Sequence, residues 1–254
     1  MRYTLGTHQQ AALRLEQLAS FFNPLSMGFI QQYITVPVTS ALDLGCGPGF
    51  TTAMLAQATS CPHVCGMDSS ARFLKAATAR FKQYTFLKHD VTKVPFPVRG
   101  ELIYARFLLT HLSNVRELVN QWVQELKSNG ILLIEEVEDI DTEIEVFKKY
   151  VHITGGLIAS QGGFLYAGTL LADADYHAEV ICNKQVSIPV ASPEAAAWFY
   201  PNTVSVWTRE RYVLERLSAR EREAIAQEIL RIKESGHAGK GVTWKMRRLV
   251  LKKT

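Results

Sequence analysis

Three glycines within five positions, in the stretch "ALDLGCGPGFTTAML" from Ala41 to Leu55, constrain this chain more than any other feature. An apolar run precedes Gly45, Gly47 and Gly49, and a helix-like run follows them. Glycine lacks Cβ and reaches positive φ freely, so such a loop lets another group approach the main chain. The helix after it opens with N–H groups that have no partner in the helix. A tight strand-to-helix turn needs one glycine. Three, with Asp43 two residues ahead, point to a ligand lying across the strand end.

The pattern around the loop is an alternation. "SALDL", "HVCGMD", "YTFLKHD", "ELIYARF" and "ILLIEEV" read as strands. "FTTAMLAQAT", "SARFLKAATARF" and "NVRELVNQWVQELKSNG", the last with a glycine stop, read as the helices between them. Alternation of this kind builds right-handed crossovers and a parallel sheet covered on both faces. In such sheets ligands bind beyond the C-terminal strand ends, at the point where strand order reverses. The glycines sit at that place after the first strand. Before it, "THQQAALRLEQLASFFNP" predicts a helix ending at Pro24, followed by a short helix from about Leu25 to Tyr33. After Val137, a helix over "EIEVFKKYVHITGGLIAS", a shorter one in "GGFLYAGTLLADA", a strand in "AEVICNKQVSIPV", a helix over "AREREAIAQEILRIKESG" and a closing strand "GVTWKMRRLVLKK" are expected.

A net charge of +4 over 254 residues gives little ground for a nucleic-acid partner. The Arg and Glu of "TRERYVLERLSARERE" alternate as on a solvated helix face laced with ion pairs. No apolar run approaches the roughly 20 residues of a membrane helix, and the polar start "MRYTLGTHQQ" carries no secretory pattern, so a cytoplasmic protein is expected. The cysteines are Cys46, Cys61, Cys65 and Cys182. "CPHVC" has no second ligand pair, so no metal site is expected.

A dinucleotide loop would read G-x-G-x-x-G/A. Aligned on Gly45 and Gly47, this chain has Phe50 where that pattern wants Gly or Ala. The pattern present is D-x-G-x-G-x-G, from Asp43 through Gly49, and "LDLGCGPG" resembles motif I of the class I S-adenosylmethionine-dependent methyltransferases. The "GMD" ending the second strand, "KHDVT" after the third, "VPFP", "IYARFLLTHL" and "LKSNGILLIEE" fit the same resemblance. Tyr3, Leu5, Gly6, Arg14 and Leu15 match a "Y-x-L-G…RL" pattern of its small-molecule branch.

The resemblance implies a Rossmann-like, seven-stranded, mostly parallel α/β sheet with helices on both faces, and S-adenosylmethionine as cofactor. It implies one domain over 1–254: an N-terminal helical lid at 1–38, a cofactor core at 39–139, a helical cap at 140–177, and C-terminal strands and helices at 178–254. Its cofactor residues map to Tyr3, Arg14, Asp43, Gly45, Cys46, Gly47, Gly49, Asp68, Ser69, Asp90, Val91 and Arg106. Asp68 matches the ribose acceptor and Asp90 the adenine-amino acceptor. Arg14 is the candidate partner of the cofactor carboxylate, and the Arg106 carbonyl that of its ammonium. Ser69 stands where the family often stacks a large apolar group on adenine, which leaves stacking to Val91 or to a residue from elsewhere.

Methyl transfer from a sulfonium is an in-line displacement in which positioning supplies much of the acceleration. A base is needed only where the nucleophile carries a proton. His111 and Glu135 are the candidate catalytic groups, with Glu136, Tyr150 and His152 behind them. Phe164, Tyr166, Trp198, Phe199 and Tyr200 are candidate walls of an acceptor pocket. The strand-four motif lacks N/D-P-P-Y/F, which favours a small-molecule acceptor over an adenine or glutamine amino group. A protein or RNA acceptor and a non-catalytic cofactor-binding module are the alternatives, and monomer and homodimer both stay open.

Overall fold

The computed structural model describes Leu5, residues 9–236 and residues 241–254. Its strands are β1 (Ser40–Leu44), β2 (His63–Asp68), β3 (Thr85–Lys88), β4 (Gly100–Arg106), β5 (Leu126–Thr142), β6 (Glu179–Val190) and β7 (Val242–Lys252). They form one sheet in the order β3-β2-β1-β4-β5-β7-β6. The first five strands pair in parallel, and β7 enters antiparallel between β5 and β6. Order reverses between β1 and β4, directly beside the glycine loop, as the alternation predicts.

Period-two alternation sends neighbouring strand residues to opposite faces. Leu42, Leu44, Ile103, Ala105, Leu132 and Ile134 bury one face against Val119, Trp122 and Val123 of α4 (Val115–Glu125). Ala41, Leu102, Tyr104 and Leu133 bury the other against α2 (Phe50–Thr59) and the end of α1 (Gln9–Tyr33). α3 (Ala71–Arg80) follows β2 and is capped by Ser70, whose hydroxyl accepts from the Phe73 N–H.

Three local expectations give way. The predicted break at Pro24 is absent, because α1 runs through it as one 25-residue helix. Proline removes an N–H and ordinarily kinks or breaks a helix. Here side chains from the sheet hold the region: Arg106 donates to Asn23 Oδ1 (2.7 Å) and Ser26 Oγ (2.8 Å), and Arg248 donates to the Leu25 carbonyl (3.1 Å). The helix expected to reach Gly130 stops at Glu125, and Leu126 already belongs to β5. The buried Glu125 carboxylate turns aside to accept the Phe96 N–H at 2.7 Å. Strand five, expected to end at Val137, continues to Thr142 and pairs with β7 along that length.

This extension supports a second core. Val137, Ile140, Trp244 and Met246 pack with α5 (Glu145–Ser160), α7 (Ser192–Ser205) and α9 (Ala219–Glu234). Two short helices, α6 (Thr169–Ala172) and α8 (Arg211–Leu214), complete the fold. Among the described residues no helix is long and apolar enough to cross a membrane.

Gly49 shows why the loop takes its third glycine. Its φ is +88°, and an added Cβ would lie 3.0 Å from Phe81 and Phe86 and 3.1 Å from Ala77. A left-handed L-residue costs about 1–2 kcal/mol by itself, and this crowding adds to it. Gly49→Ala is expected to lower stability by more than that backbone cost in a denaturant titration. Gly47→Ala, where the nearest atom would be 3.8 Å away, is expected to lose only the backbone part.

Candidate active site

Gly45, Gly47 and Gly49 all adopt positive φ, at +67°, +52° and +88°. Their surroundings differ. A Cβ on Gly45 would meet Leu108 at 2.6 Å, and one on Gly49 would meet α3, whereas Gly47 faces nearly open space. The bare-backbone reading therefore applies to Gly47. The other two glycines let protein pack against the loop.

The Gly47 N–H donates to Asp68 Oδ2 at 2.9 Å, and Asp68 Oδ1 accepts the Ser70 N–H at 2.7 Å. One carboxylate thus joins the β1 loop to the end of β2. Burial holds its pKa above the usual carboxylate range, opposed by N–H donors from Ser70, Gly47 and Ser69. Each carboxylate oxygen has a second lone pair, so Asp68 can still accept hydroxyls from a ligand. Asp90, after β3, holds Thr92 through its N–H (3.1 Å) and hydroxyl (2.7 Å), both on Oδ1.

A cavity of about 200 Å³ opens beside these groups. Gly45, Cys46, Gly47, Asp68, Ser69, Asp90, Val91, Arg14, Arg106 and His111 all line it. At the strand-end side, Phe73 and His89 join Val91, giving apolar and ring surface where Ser69 offers little. At the far side Phe107, Val137, Ile140, Tyr150, Trp198, Phe199 and Trp244 form an apolar, aromatic wall. Gly47 without Cβ, the Asp68 carboxylate at the end of the neighbouring strand, and flanking apolar surface suit a zwitterionic nucleoside of the S-adenosylmethionine kind.

Several expected site residues lie elsewhere. Asp43 is buried beneath the loop, not on the cavity. Its Oδ2 accepts the hydroxyls of Thr51 (2.7 Å) and Thr52 (2.6 Å), which fastens α2 to β1. Burial, opposed by those hydroxyls, pushes it up to about 6. Glu135 also leaves the cavity. Its carboxylate accepts Tyr104 Oη (2.8 Å) and Arg248 Nε (2.9 Å) on the face covered by α1, away from the cavity lining. Glu136, one residue on, points to the opposite face and accepts the N–H groups of Leu108 (2.6 Å) and Leu109 (2.7 Å). It shapes the turn that presents His111, and is not on the cavity wall itself. Burial pushes it up to about 7 despite those donors.

The Arg106 guanidinium turns back to α1, as described above. His152 is exposed. Phe164, Tyr166 and Tyr200 do not line the cavity, whereas Trp198 and Phe199 do. Tyr3 and Gly6 lie outside the described residues. Trp244 and Phe107 were not anticipated. Trp244 arrives from the last strand because β7 inserts beside β5, and nothing local in "GVTWKMRRLVLKK" marks it. Phe107 holds a positive φ of +55° just past β4, a conformation that sequence alone does not announce. The four cysteines are unbridged and buried, and the described residues contain no cluster suited to a metal ion.

His111 stands at the cavity wall in a short 3-10 turn, Leu109–His111. Burial first, and the Arg14 charge second, push it down to about 3. It is neutral at physiological pH and a weak base.

Two outcomes follow. Asp68→Ala is expected to weaken S-adenosylhomocysteine binding by about 1.5–3 kcal/mol, the range for hydrogen bonds to a charged group, measured by calorimetry. For Glu136 the raised pKa means that the folded chain holds the proton more tightly than the unfolded chain. Stability from this group is full below about pH 4.5 and is lost as pH rises through about 7. The melting temperature of Glu136→Gln should therefore gain on that of the wild type as pH is raised across this window.

Residues 42–134 match the family model described as a methyltransferase domain. A trans-aconitate 2-methyltransferase of Enterobacter sp. (strain 638) is 30% identical over 114 residues, 45% of each chain. One of Rhizobium rhizogenes (strain K84 / ATCC BAA-868) is 36% identical over 103 residues, 39% of this chain and 40% of its own. The match thus spans less than half the length of these curated relatives. Among solved structures, coclaurine N-methyltransferase bound to N-methylheliamine and S-adenosylhomocysteine shares the fold. Its TM-score is 0.58 at 16% identity, covering 91% of this chain and 72% of that one. Over residues 42–134, the part of the sheet that carries the glycine loop and the strand-end acids, the chain is thus similar to a methyltransferase domain.

Proposed function

We propose that the protein transfers a methyl group from S-adenosylmethionine to a small, largely apolar acceptor. The observation that carries this is the single cavity shared by two surfaces. The glycine loop and the strand-end carboxylates Asp68 and Asp90 stand at one side, and Tyr150, Trp198, Phe199 and Trp244 at the other. When bound, the cofactor supplies a methyl group already activated by a sulfonium. The chain's own residues have the tasks of binding, aligning and excluding water. Asp68 is assigned to the ribose hydroxyls and the Gly47 main chain to the close approach beneath the cofactor. Asp90 and Val91 are assigned to the adenine, with Phe73 and His89 as its further walls. The Arg106 carbonyl is assigned to the cofactor ammonium.

The charge distribution supports a small acceptor over a polymer. The basic residues at the middle of the closing strand β7 are ion-paired. Arg247 is paired with Glu138 (2.5 Å), Arg248 with Glu135 (2.9 Å) and Lys245 with Asp139 (2.8 Å). These three cations are not left free to follow a polyanion.

The curated relatives are named for trans-aconitate, a tricarboxylate. Among the described cavity-lining residues the Lys and Arg side chains are Arg14 and Arg106, and the Arg106 guanidinium is engaged by α1. Three carboxylates would find too few cations there, so an apolar body with at most one anionic group is the better fit.

Calorimetric titration with S-adenosylhomocysteine, and with NADH in parallel, tests the cofactor. Binding of the first alone is expected, and binding of NADH alone would sink the reading. With labelled methyl donor, trans-aconitate should be a poorer acceptor than an aryl-alkyl compound of similar size.

A further inference from the structure

The chain leaves β4 through Phe107, whose φ of +55° is left-handed, and enters Leu108, which is right-handed at φ −103° and ψ −47°. Residues of opposite hand in succession aim their main-chain N–H groups to one side and form a small anion-binding concavity. Here the N–H groups of Leu108 and Leu109 converge on one oxygen of Glu136, at 2.6 and 2.7 Å. The Thr110 N–H and hydroxyl face the same carboxylate. Glu136 is fully buried. The concavity is therefore filled by an anion of the protein itself, and hydrogen bonds from N–H to a carboxylate are the short, strong kind.

The turn held in this way carries much of the cavity. Phe107, Leu108, Thr110 and His111 all line it, whereas Glu136 does not. Leu108 fills the place that a Cβ on Gly45 would take, 2.6 Å away, so the glycine loop rests on this side chain. Phe107 packs edge-on against Phe22 at a centroid separation of 5.0 Å and belongs to the aromatic wall. The Thr110 carbonyl accepts the Phe164 N–H at 3.0 Å, and its hydroxyl donates to the Leu165 carbonyl at 3.1 Å. The turn is thus the seam between the glycine loop and the far wall. A bulky residue at positive φ persists only where its surroundings over-determine it, and the two bonds to Glu136 begin at the next residue.

Resting on the assignment of the cofactor above, we infer that Glu136 is a positioning residue for methyl transfer. From outside the cavity, its carboxylate holds the Phe107–His111 turn and, through Leu108, sets the seat of the cofactor loop against the aromatic wall. Its contribution is geometric, in a reaction where misplacement by about 1 Å is enough to slow the chemistry. The role runs against stability. Burial raises the Glu136 pKa to about 7, so the fold holds the ionised group at a cost that a neutral replacement does not bear. Function and stability are then expected to move in opposite directions on substitution.

The test uses the full chain at pH 8, with calorimetric titration of S-adenosylhomocysteine and thermal melts of the same samples without it. Glu136→Gln, similar in shape but neutral, is expected to raise the Kd for S-adenosylhomocysteine about tenfold while melting no lower than the wild type. Leu108→Ala leaves Glu136 in place and removes the side chain seated against Gly45, and it should raise the Kd as well. The double variant should lose less than the product of the two single losses, because both act through one contact. Glu136→Asp, which keeps the anion, should recover part of the affinity. An unchanged Kd in Glu136→Gln would overturn the inference. So would a raised Kd accompanied by a lower melting temperature and by losses that multiply in the double variant, the pattern of a merely structural residue. Absence of S-adenosylhomocysteine binding by the wild type would remove the cofactor assignment, and this inference with it.

Discussion

The hydrogen bond from the Gly47 N–H to Asp68 is the contact on which the site depends. It joins the loop after β1 to the end of β2, and Asp68 holds the Ser70 N–H that opens α3 with its other oxygen. Asp43 performs the complementary task from below, binding the first-turn hydroxyls of α2. The two carboxylates clamp a loop of three left-handed glycines between two helices. A flexible segment becomes a fixed surface, and the cost of ordering it is met by the fold and not by the ligand.

Charge placement follows the same economy of position. Neighbouring glutamates at the end of β5 serve different faces because strand side chains alternate. Glu135 meets Arg248 and Tyr104 under α1, while Glu136 gathers main-chain N–H groups from the turn carrying His111. A buried carboxylate left without donors would be costly, so each is surrounded by them. Neither glutamate lines the cavity. Its far wall takes its shape from aromatic rings.

The aromatic wall is assembled from distant segments. Phe107 follows β4, Tyr150 belongs to α5, Trp198 and Phe199 to α7, and Trp244 to β7. Phe22 of α1 packs edge-on against Phe107 and lies against Trp198 and Trp244, at centroid separations of 5.0–6.0 Å. The N-terminal helix and the late helices therefore share one core, and the cavity lies along it. Tyr150, stacked on Phe199 at 4.2 Å and accepting a hydrogen bond from Asn202, is held in place from behind.

The sequence by itself determined the parallel core, the switch point, the glycine loop and the two acids that follow it. Each of these is local: an alternation of apolar runs, a positive-φ requirement, a residue at a strand end. Tertiary structure decided the rest. Which glycine faces open space depends on Leu108, Phe81 and Phe86, far along the chain. That Asp43 and Glu135 turn inward depends on which sheet face each occupies and on what covers it. Continuation of α1 through Pro24 depends on Arg106 and Arg248 reaching it from the sheet. Trp244 reaches the cavity wall because β7 pairs with β5 beyond Val137. Local sequence carries conformational preference within a few residues. The faces, partners and charges that line the cavity arise only when distant segments close on one another.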